Sequence, residues 1–256
     1  MSSLVAAAAS LLVFCAPGYS GTSADAQPLV GEFATTLAAA AGLPADGLTA
    51  VYDANEQSDL QRLAAPDADL AFVPYPFFVQ HGAALHLAPL AQADVPPAGV
   101  QQHWTLVMKR GRPAPPAGLA GMTVISTAGY AQDFVRDVLR GVGPLPANTT
   151  ITATGQVLSA LRRTATGEPV AVLLDQEQAA ALGSLPFAAD LQSVATTAAV
   201  PVALVVSVGG RVPKARADAL QKALLQLSGS AQGAAALGRL RLKGFVAPHL
   251  PATPGS

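Results

Sequence analysis

Short apolar runs alternate with longer amphipathic stretches along most of the chain. Apolar runs of about four to eight residues between turn residues are typical of buried strands, whereas apolar positions three or four apart indicate helices. The runs predict strands at 11–16, 48–53, 70–73, 101–110, 122–125, 150–153, 170–174, 191–195 and 202–208, and a further apolar piece at 87–90. Helices are predicted at 24–41, 57–64, 213–227 and 232–240, with others between the middle strands. This alternation predicts an α/β protein with largely parallel sheets flanked by helices.

The segment MTVISTAGYAQDFV, at 122–135, is the most informative part of this pattern. An apolar strand runs through Ser126-Thr127-Ala128-Gly129 directly into an amphipathic helix. The first backbone N–H groups of a helix have no partner within it, and the hydroxyls and the glycine lie beside them. The turn is therefore a candidate seat for an anion or a polar head group. A simple helix cap is the structural alternative, and the sequence leaves it open.

Composition limits the classes of protein that the chain can belong to. At 256 residues it is long enough for one large domain or for two lobes. Charged residues make up 12% and the formal net charge is −1, which excludes a strongly basic nucleic-acid binder. Aromatic residues make up 5% and hydrophobic residues 51%, so small apolar side chains dominate and favour close packing of helices on sheets.

Charge is nevertheless segregated along the chain. Residues 1–61 contain no Lys or Arg and have a net charge of −6, and residues 167–200 have −4 with no base. Residues 101–166 have a net charge of +5 and flank the Ser-Thr-Ala-Gly turn. This basic segment favours an anionic ligand, unless its bases simply form solvated helix faces.

Several catalytic and metal-binding designs are absent from the sequence. The single cysteine, Cys15, excludes an internal disulfide and a cysteine-based zinc site. The four histidines lack the His-Glu-x-x-His spacing, and no Gly-x-Ser-x-Gly elbow occurs. The glycine-rich piece GYSGTS lacks the Gly-Lys-Ser/Thr ending of a nucleotide P-loop. We therefore predict no metal, no cofactor and no enzymatic activity.

The N-terminal segment has two interpretations. Residues 4–16 are apolar enough for the core of a signal peptide, and Ala24-Asp25-Ala26 resembles a small-x-small cleavage site. No base precedes the apolar run, since the first base of the chain is Arg62. We therefore prefer residues 11–16 as the first core strand and expect a periplasmic or exported protein, with the signal segment left open.

Four segments, in this order and spacing, resemble a known family. They are DADLAFVPYPFFVQH (67–81), LAGMTVISTAGYAQDFV (119–135), SALRRTATGEPVAVLLD (159–175) and LQKALLQLSGSAQGAAALGRLRLKGF (220–245). Together they resemble the phosphate/phosphite/phosphonate-type periplasmic substrate-binding proteins of ABC transporters, which have the type II binding-protein fold. The resemblance implies one lobe from residues 1–104 and 201–256, an inserted lobe from 105–200, and crossings near 103–106 and 200–203.

The resemblance also implies a ligand site between the lobes, at the carboxyl ends of strands. The first lobe would contribute Gly18, Tyr19 and Ser20 from one loop and Pro74, Tyr75 and Phe77 from another. The inserted lobe would hold an oxyanion with Ser126, Thr127, Gly129 and Tyr130. Asp175 stands where family members often place an acid that receives a ligand amine, although it could equally begin a helix. Pro169 replaces the acid that commonly follows Gly-Glu in the family, which weakens any expectation of an aminophosphonate.

These expectations define one leading hypothesis and two alternatives. The leading hypothesis is a monomeric solute-binding protein that captures a small anionic ligand and presents it to a transporter permease. The first alternative is an enzyme on the same two-lobed scaffold, which would need an acid or base with a strongly shifted pKa. The second is a sensory or effector-binding module that signals to a membrane partner.

Overall fold

The computed structural model describes residues 10–18 and 23–251. The strands are β1 (Ser10–Cys15), β2 (Leu48–Asp53), β3 (Ala68–Pro74), β4 (Ala88–Asp94), β5 (Gln101–Gln102), β6 (Thr105–Lys109), β7 (Thr123–Ser126), β8 (Thr150–Ala153), β9 (Val170–Leu174), β10 (Leu191–Thr196), β11 (Val200–Pro201), β12 (Ala203–Ser207) and β13 (Gly244–Val246). The α-helices are α1 (Ser23–Ala40), α2 (Glu56–Ala64), α3 (Tyr75–His81), α4 (Gln132–Val138), α5 (Val157–Thr166), α6 (Gln176–Ala181), α7 (Lys214–Gln226) and α8 (Ala231–Arg239). Short 3-10 segments lie at Ala117–Leu119, Leu139–Val142, Leu182–Ser184, Ala188–Asp190 and Leu227–Gly229.

The larger sheet has six strands in the order β13-β4-β12-β3-β1-β2. Strand β1 lies between β2 and β3 and runs parallel to both, while β12 and β13 run antiparallel to their neighbours. Because β1, β2 and β3 are parallel, the loops that follow them leave the sheet at the same edge. The smaller sheet has five strands in the order β10-β6-β9-β7-β8, with β7 parallel to β8 and β9. The predicted α/β class is confirmed.

The chain passes between the two sheets twice, and the passing segments pair with each other. β5 and β11 form a two-stranded antiparallel ribbon in which Gln102 faces Val200. The larger sheet contains strands from before the first passage and after the second, and the smaller sheet contains the strands between them. The exact lobe boundaries at 104/105 and 200/201 stay a prediction.

The core follows the two-residue alternation of the strands. Leu12 and Phe14 of β1 point to the face covered by α1, α7 and α8, where Phe33 and Leu224 are buried. The alternate residues of β1 point to the opposite face. In the smaller sheet, α4 covers one face and α5 covers the other. Each sheet is therefore buried on both sides, which explains why its strands appear in the sequence as continuous apolar runs.

Two elements differ from the predicted pattern. The predicted strand at 101–110 is interrupted, because His103 Nδ1 contacts the Thr197 carbonyl oxygen at 2.8 Å and the Trp104 amide donates to Thr197 Oγ1 at 3.0 Å. These bonds replace ladder bonds and separate β5 from β6. The second difference is α3, a helix at a place that the resemblance assigns to a loop. Among the described residues, no helix has the length and apolar character needed to cross a membrane.

Arg211 ties the end of α2 to the larger sheet, and its removal is expected to destabilise the protein. Its Nη1 donates to the carbonyl oxygens of Leu63, Ala65 and Ala68 at 3.0, 2.8 and 2.7 Å. We expect Arg211→Met to lower the free energy of unfolding by about 2–4 kcal/mol, since charge-assisted bonds to partly buried carbonyls are lost. Urea unfolding measures this change.

Lys214→Met provides the matched control. Lys214 makes one ion pair, with Asp218, and its side chain is 88% exposed. Its replacement is expected to change stability by less than about 0.5 kcal/mol. Equal losses in the two variants would contradict the role assigned to Arg211.

Candidate functional site

The turn between β7 and α4 is held to its own sheet by Ser126. The Ser126 hydroxyl donates to the Leu173 carbonyl oxygen at 2.8 Å and accepts from the Ala128 N–H at 3.2 Å. Its side chain is fully buried. Ser126 therefore fastens the turn to β9, and its hydroxyl is already engaged by the protein.

Thr127 and Gly18 meet where loops from the two sheets approach each other. Gly18 has φ +85°, a conformation that favours glycine, and a Cβ at this position would overlap the Thr127 carbonyl oxygen. Thr127 is 6% exposed, and among the described residues its Oγ1 has no hydrogen-bond partner. The structure therefore brings these two candidates together. The predicted contacts of Tyr19 and Ser20 lie outside the described residues.

Gly129 and Tyr130 complete the turn in different ways. A Cβ at Gly129 would overlap the Thr152 carbonyl oxygen, so glycine allows the turn to pack directly on β8. Tyr130 is half-buried and packs against apolar clusters that belong to both sheets. Gly129 thus shapes the turn, while Tyr130 lies at the junction of the lobes.

The candidates near residue 75 occupy a helix start, not a loop. Pro74 ends β3 and pairs with Ala203 of β12, and Tyr75 is the first residue of α3. The Tyr75 ring packs edge-on against Phe134 of α4 with centroids 6.2 Å apart, and burial raises the pKa of its phenol. Phe77 has no exposed surface and packs in the core below β1 and β3. Tyr75 therefore reaches the other lobe, whereas Phe77 presents no surface to a ligand.

A polar link joins the same two helices. The Asp133 amide in the first turn of α4 donates to Gln80 Oε1 of α3 at 3.0 Å. Gln80 Nε2 is 3.5 Å from Asp133 Oδ2. One of the amides that the sequence offers to an anion is thus occupied by a side chain from the opposite lobe.

Asp175 caps a helix. It precedes α6, and its Oδ1 accepts from the Gln178 amide at 2.8 Å while Gln178 Oε1 accepts from the Asp175 amide at 3.2 Å. The carboxyl is 6% exposed, and burial raises its pKa. Of the two interpretations of Asp175, this reciprocal capping box is the one that the geometry displays.

Four of the seven bases of segment 101–166 make contacts of their own. Arg110 donates to the carbonyl oxygens of Ala189 and Leu191, and Arg112 to that of Gly167, at the end of the sheet away from Ser126. Arg140 and Arg163 pair with Asp137 and Glu168. These four bases therefore serve local contacts, and the structure does not direct them at the turn.

Sequence reasoning missed a buried acid beside Cys15, the last residue of β1. Asp59 of α2 is fully buried, and burial raises its pKa to about 8, with Asp53 and Glu56 adding to the shift. The neighbouring Cys15 thiol partly offsets this shift. The sequence could have predicted its burial, because Asp59 precedes the core residue Leu63 by four positions and therefore lies on the same face of the helix.

Comparisons with known proteins identify the fold. No family model and no curated protein matches the chain. Among solved structures, a Xanthomonas citri protein bound to chloride ion has a TM-score of 0.71 at 16% identity, covering 95% of this chain and 92% of that one. PhnD1 from Prochlorococcus marinus in complex with methylphosphonate has a TM-score of 0.61 at 15% identity, covering 93% of this chain and 92% of that one. A binding protein component of an ABC phosphonate transporter from Pseudomonas aeruginosa has a TM-score of 0.58 at 14% identity, covering 94% of this chain and 82% of that one.

The fold is that of the two-lobed periplasmic binding proteins. At these identities the likeness establishes the fold and leaves the ligand undetermined. A histidine kinase sensor domain shares the fold as well, with a TM-score of 0.52 at 14% identity over 93% of this chain and 98% of that one. Binding proteins and sensor domains thus use the same architecture, and the choice between them depends on the site.

Gly129→Ala is expected to destabilise the turn for purely steric reasons. The added Cβ must displace the Thr152 carbonyl oxygen, at a cost of about 1–3 kcal/mol in the free energy of unfolding. Gly155→Ala is the matched control, since no atom lies within 4 Å of a Cβ there. Chemical unfolding of the two variants measures the difference, and equal stabilities would show that the turn does not press on β8.

Asp59 is expected to make stability fall as the pH rises. Between about pH 4 and pH 8 the folded protein retains a proton on Asp59 that the unfolded chain has released. The free energy of unfolding should therefore decrease with pH, by up to about 1.4 kcal/mol per unit, relative to Asp59→Asn. Urea unfolding of both proteins across this range measures the slope. Parallel pH profiles would show that Asp59 titrates normally.

Proposed function

We propose that the chain is a solute-binding protein that closes its two lobes on a small anionic ligand beside the Ser126–Tyr130 turn and presents it to an ABC transporter permease. The observation that carries the proposal is the approach of Gly18 to Thr127 across the two lobes, beside a buried hydroxyl that lacks a partner among the described residues. A buried hydroxyl without a partner is costly, and a ligand oxygen would satisfy it.

The contacts around the turn suggest how an anion would be held. Ser126 and Asp175 are engaged in internal bonds, and Arg110 and Arg140 are committed elsewhere. The amides of Ala128, Gly129 and Ala131 also donate within the turn. An anion would therefore rely on Thr127 Oγ1 and on other backbone amides of the two loops, a mode that proteins use for oxyanions. The methylphosphonate named for the Prochlorococcus marinus protein is an oxyanion and serves as the first ligand to test.

The mechanism requires closure and no covalent step. Binding favours the closed arrangement in proportion to the difference in ligand affinity between the open and closed forms. The contacts between α3 and α4, at Tyr75–Phe134 and Gln80–Asp133, would form on closure. We infer a periplasmic location, a monomeric state and no turnover of the bound ligand, in keeping with the binding proteins that share the fold.

Gly18→Ala is expected to weaken binding of methylphosphonate at least tenfold in isothermal titration calorimetry. A Cβ at residue 18 would overlap the Thr127 carbonyl oxygen and prevent full closure. Gly111→Ala is the matched control, since φ is +83° there and no atom lies within 4 Å of a Cβ. Both substitutions place alanine at positive φ, so a difference between them reports the contact and not the backbone strain.

Three results would count against the proposal. They are the absence of saturable binding of methylphosphonate or phosphate to the unaltered chain, equal affinities in the two glycine variants, and conversion of the ligand to a product during incubation. The last result would favour the enzyme alternative.

A further inference from the structure

A cavity opens along the sides of α3 and α4. Its volume is about 780 Å³, which lies within the range of about 300–1,000 Å³ typical of small-molecule sites. It extends from Tyr75 and Val79 of α3 to Phe134 and Val142, and segment 195–200 forms another wall. Residues from both lobes and from the second passage between them therefore line it.

The cavity extends well away from the Ser126–Tyr130 turn. Its wall includes Val138, Leu139 and Val142, which follow the first turn of α4. At about 1.5 Å of rise per residue, Leu139 lies about 10 Å along the axis from Gln132. Gly18, Thr127 and Gly129 do not contribute to the cavity, and Tyr75 is the shared boundary. A molecule bound here would leave the turn untouched.

The lining restricts the chemistry of the occupant. The described residues that line it include no Lys, Arg or His, and most carry apolar side chains. The one carboxylate among them, Asp137, forms an ion pair with Arg140 at 2.7 Å. Thr197 Oγ1 is engaged with Ala198 and Trp104. An anion would therefore find no cationic side chain in the wall, whereas an uncharged apolar molecule would gain free energy on leaving water.

From this arrangement we infer a second binding site, for an uncharged apolar small molecule, in the cavity between α3, α4 and segment 195–200. It goes beyond the proposed anion site, because it uses a different volume and the opposite chemistry. A molecule bound in this cavity would contact both lobes and also Leu250 of the C-terminal segment.

The chain contains its own reporter for this site. Trp104 is the only tryptophan, it is buried, and its ring packs edge-on against Phe134 with centroids 5.3 Å apart. Phe134 forms part of the cavity wall. A fluorescent occupant would lie one ring away from Trp104 and would accept its excitation energy.

The test is a fluorescence titration of the full chain with N-phenyl-1-naphthylamine, an uncharged apolar probe. We expect saturation at one probe per chain, with Trp104 emission falling as probe emission rises. Ala83→Phe and Ala199→Phe, which add bulk at two lining positions, one after α3 and one in segment 195–200, should each weaken probe binding at least tenfold. Ala235→Phe is the control, since Ala235 is exposed on α8 and does not line the cavity.

Competition distinguishes the class of ligand and separates this site from the anion site. Decanol should displace the probe at a concentration about tenfold lower than decanoate, since the cavity offers no partner for a carboxylate. Methylphosphonate should not displace the probe, so failure at one site leaves the other testable. Absence of saturable binding, equal affinity in all three alanine variants, or stronger displacement by decanoate would overturn the inference.

Discussion

The close approach of the Gly18 backbone to the Thr127 carbonyl is the contact on which the proposed closure of the lobes depends. In the larger sheet β1 ends shortly before Gly18, and in the smaller sheet β7 ends at Ser126. The loops that follow these two strands face each other. A positive φ and a missing Cβ at one residue allow this approach. Because the contact involves backbone on both sides, its geometry leaves little room for adjustment.

The interface between the lobes divides into two parts of unlike chemistry. Around the turn it is polar, with the hydroxyl of Thr127 and the bonds of Gln80 to Asp133. Alongside α3 and α4 it is apolar, with Tyr75 and Phe134 in contact at its edge. Hydrogen bonds depend on direction, so the polar part suits recognition of a small head group. Apolar contacts contribute in proportion to the area buried, so the apolar part suits contact between the lobes or an apolar ligand.

Local sequence patterns predicted most helices and strands, but they failed where residues distant in the sequence determine the local structure. The strand at 170–174 and the helix at 213–227 could be predicted because burial on a sheet leaves a periodicity that any window of sequence displays. The break at His103–Trp104 could not, because its cause is Thr197, more than ninety residues away. The helix α3 was missed because the resemblance placed a loop there, although Pro76 suits a first helical turn.

The sequence by itself determined the α/β class, the order of the elements and the strand-to-helix turn at 126–130, because each follows from short-range periodicity and turn chemistry. The tertiary structure alone decided which candidates meet. In the tertiary structure Gly18 lies close to Thr127, Phe77 is buried in the core and Asp175 caps helix α6. The tertiary structure also engaged four of the grouped bases, Arg110, Arg112, Arg140 and Arg163, in separate local contacts. The physical reason is that a site depends on contacts between strand ends from different sheets, and no local pattern encodes their distance.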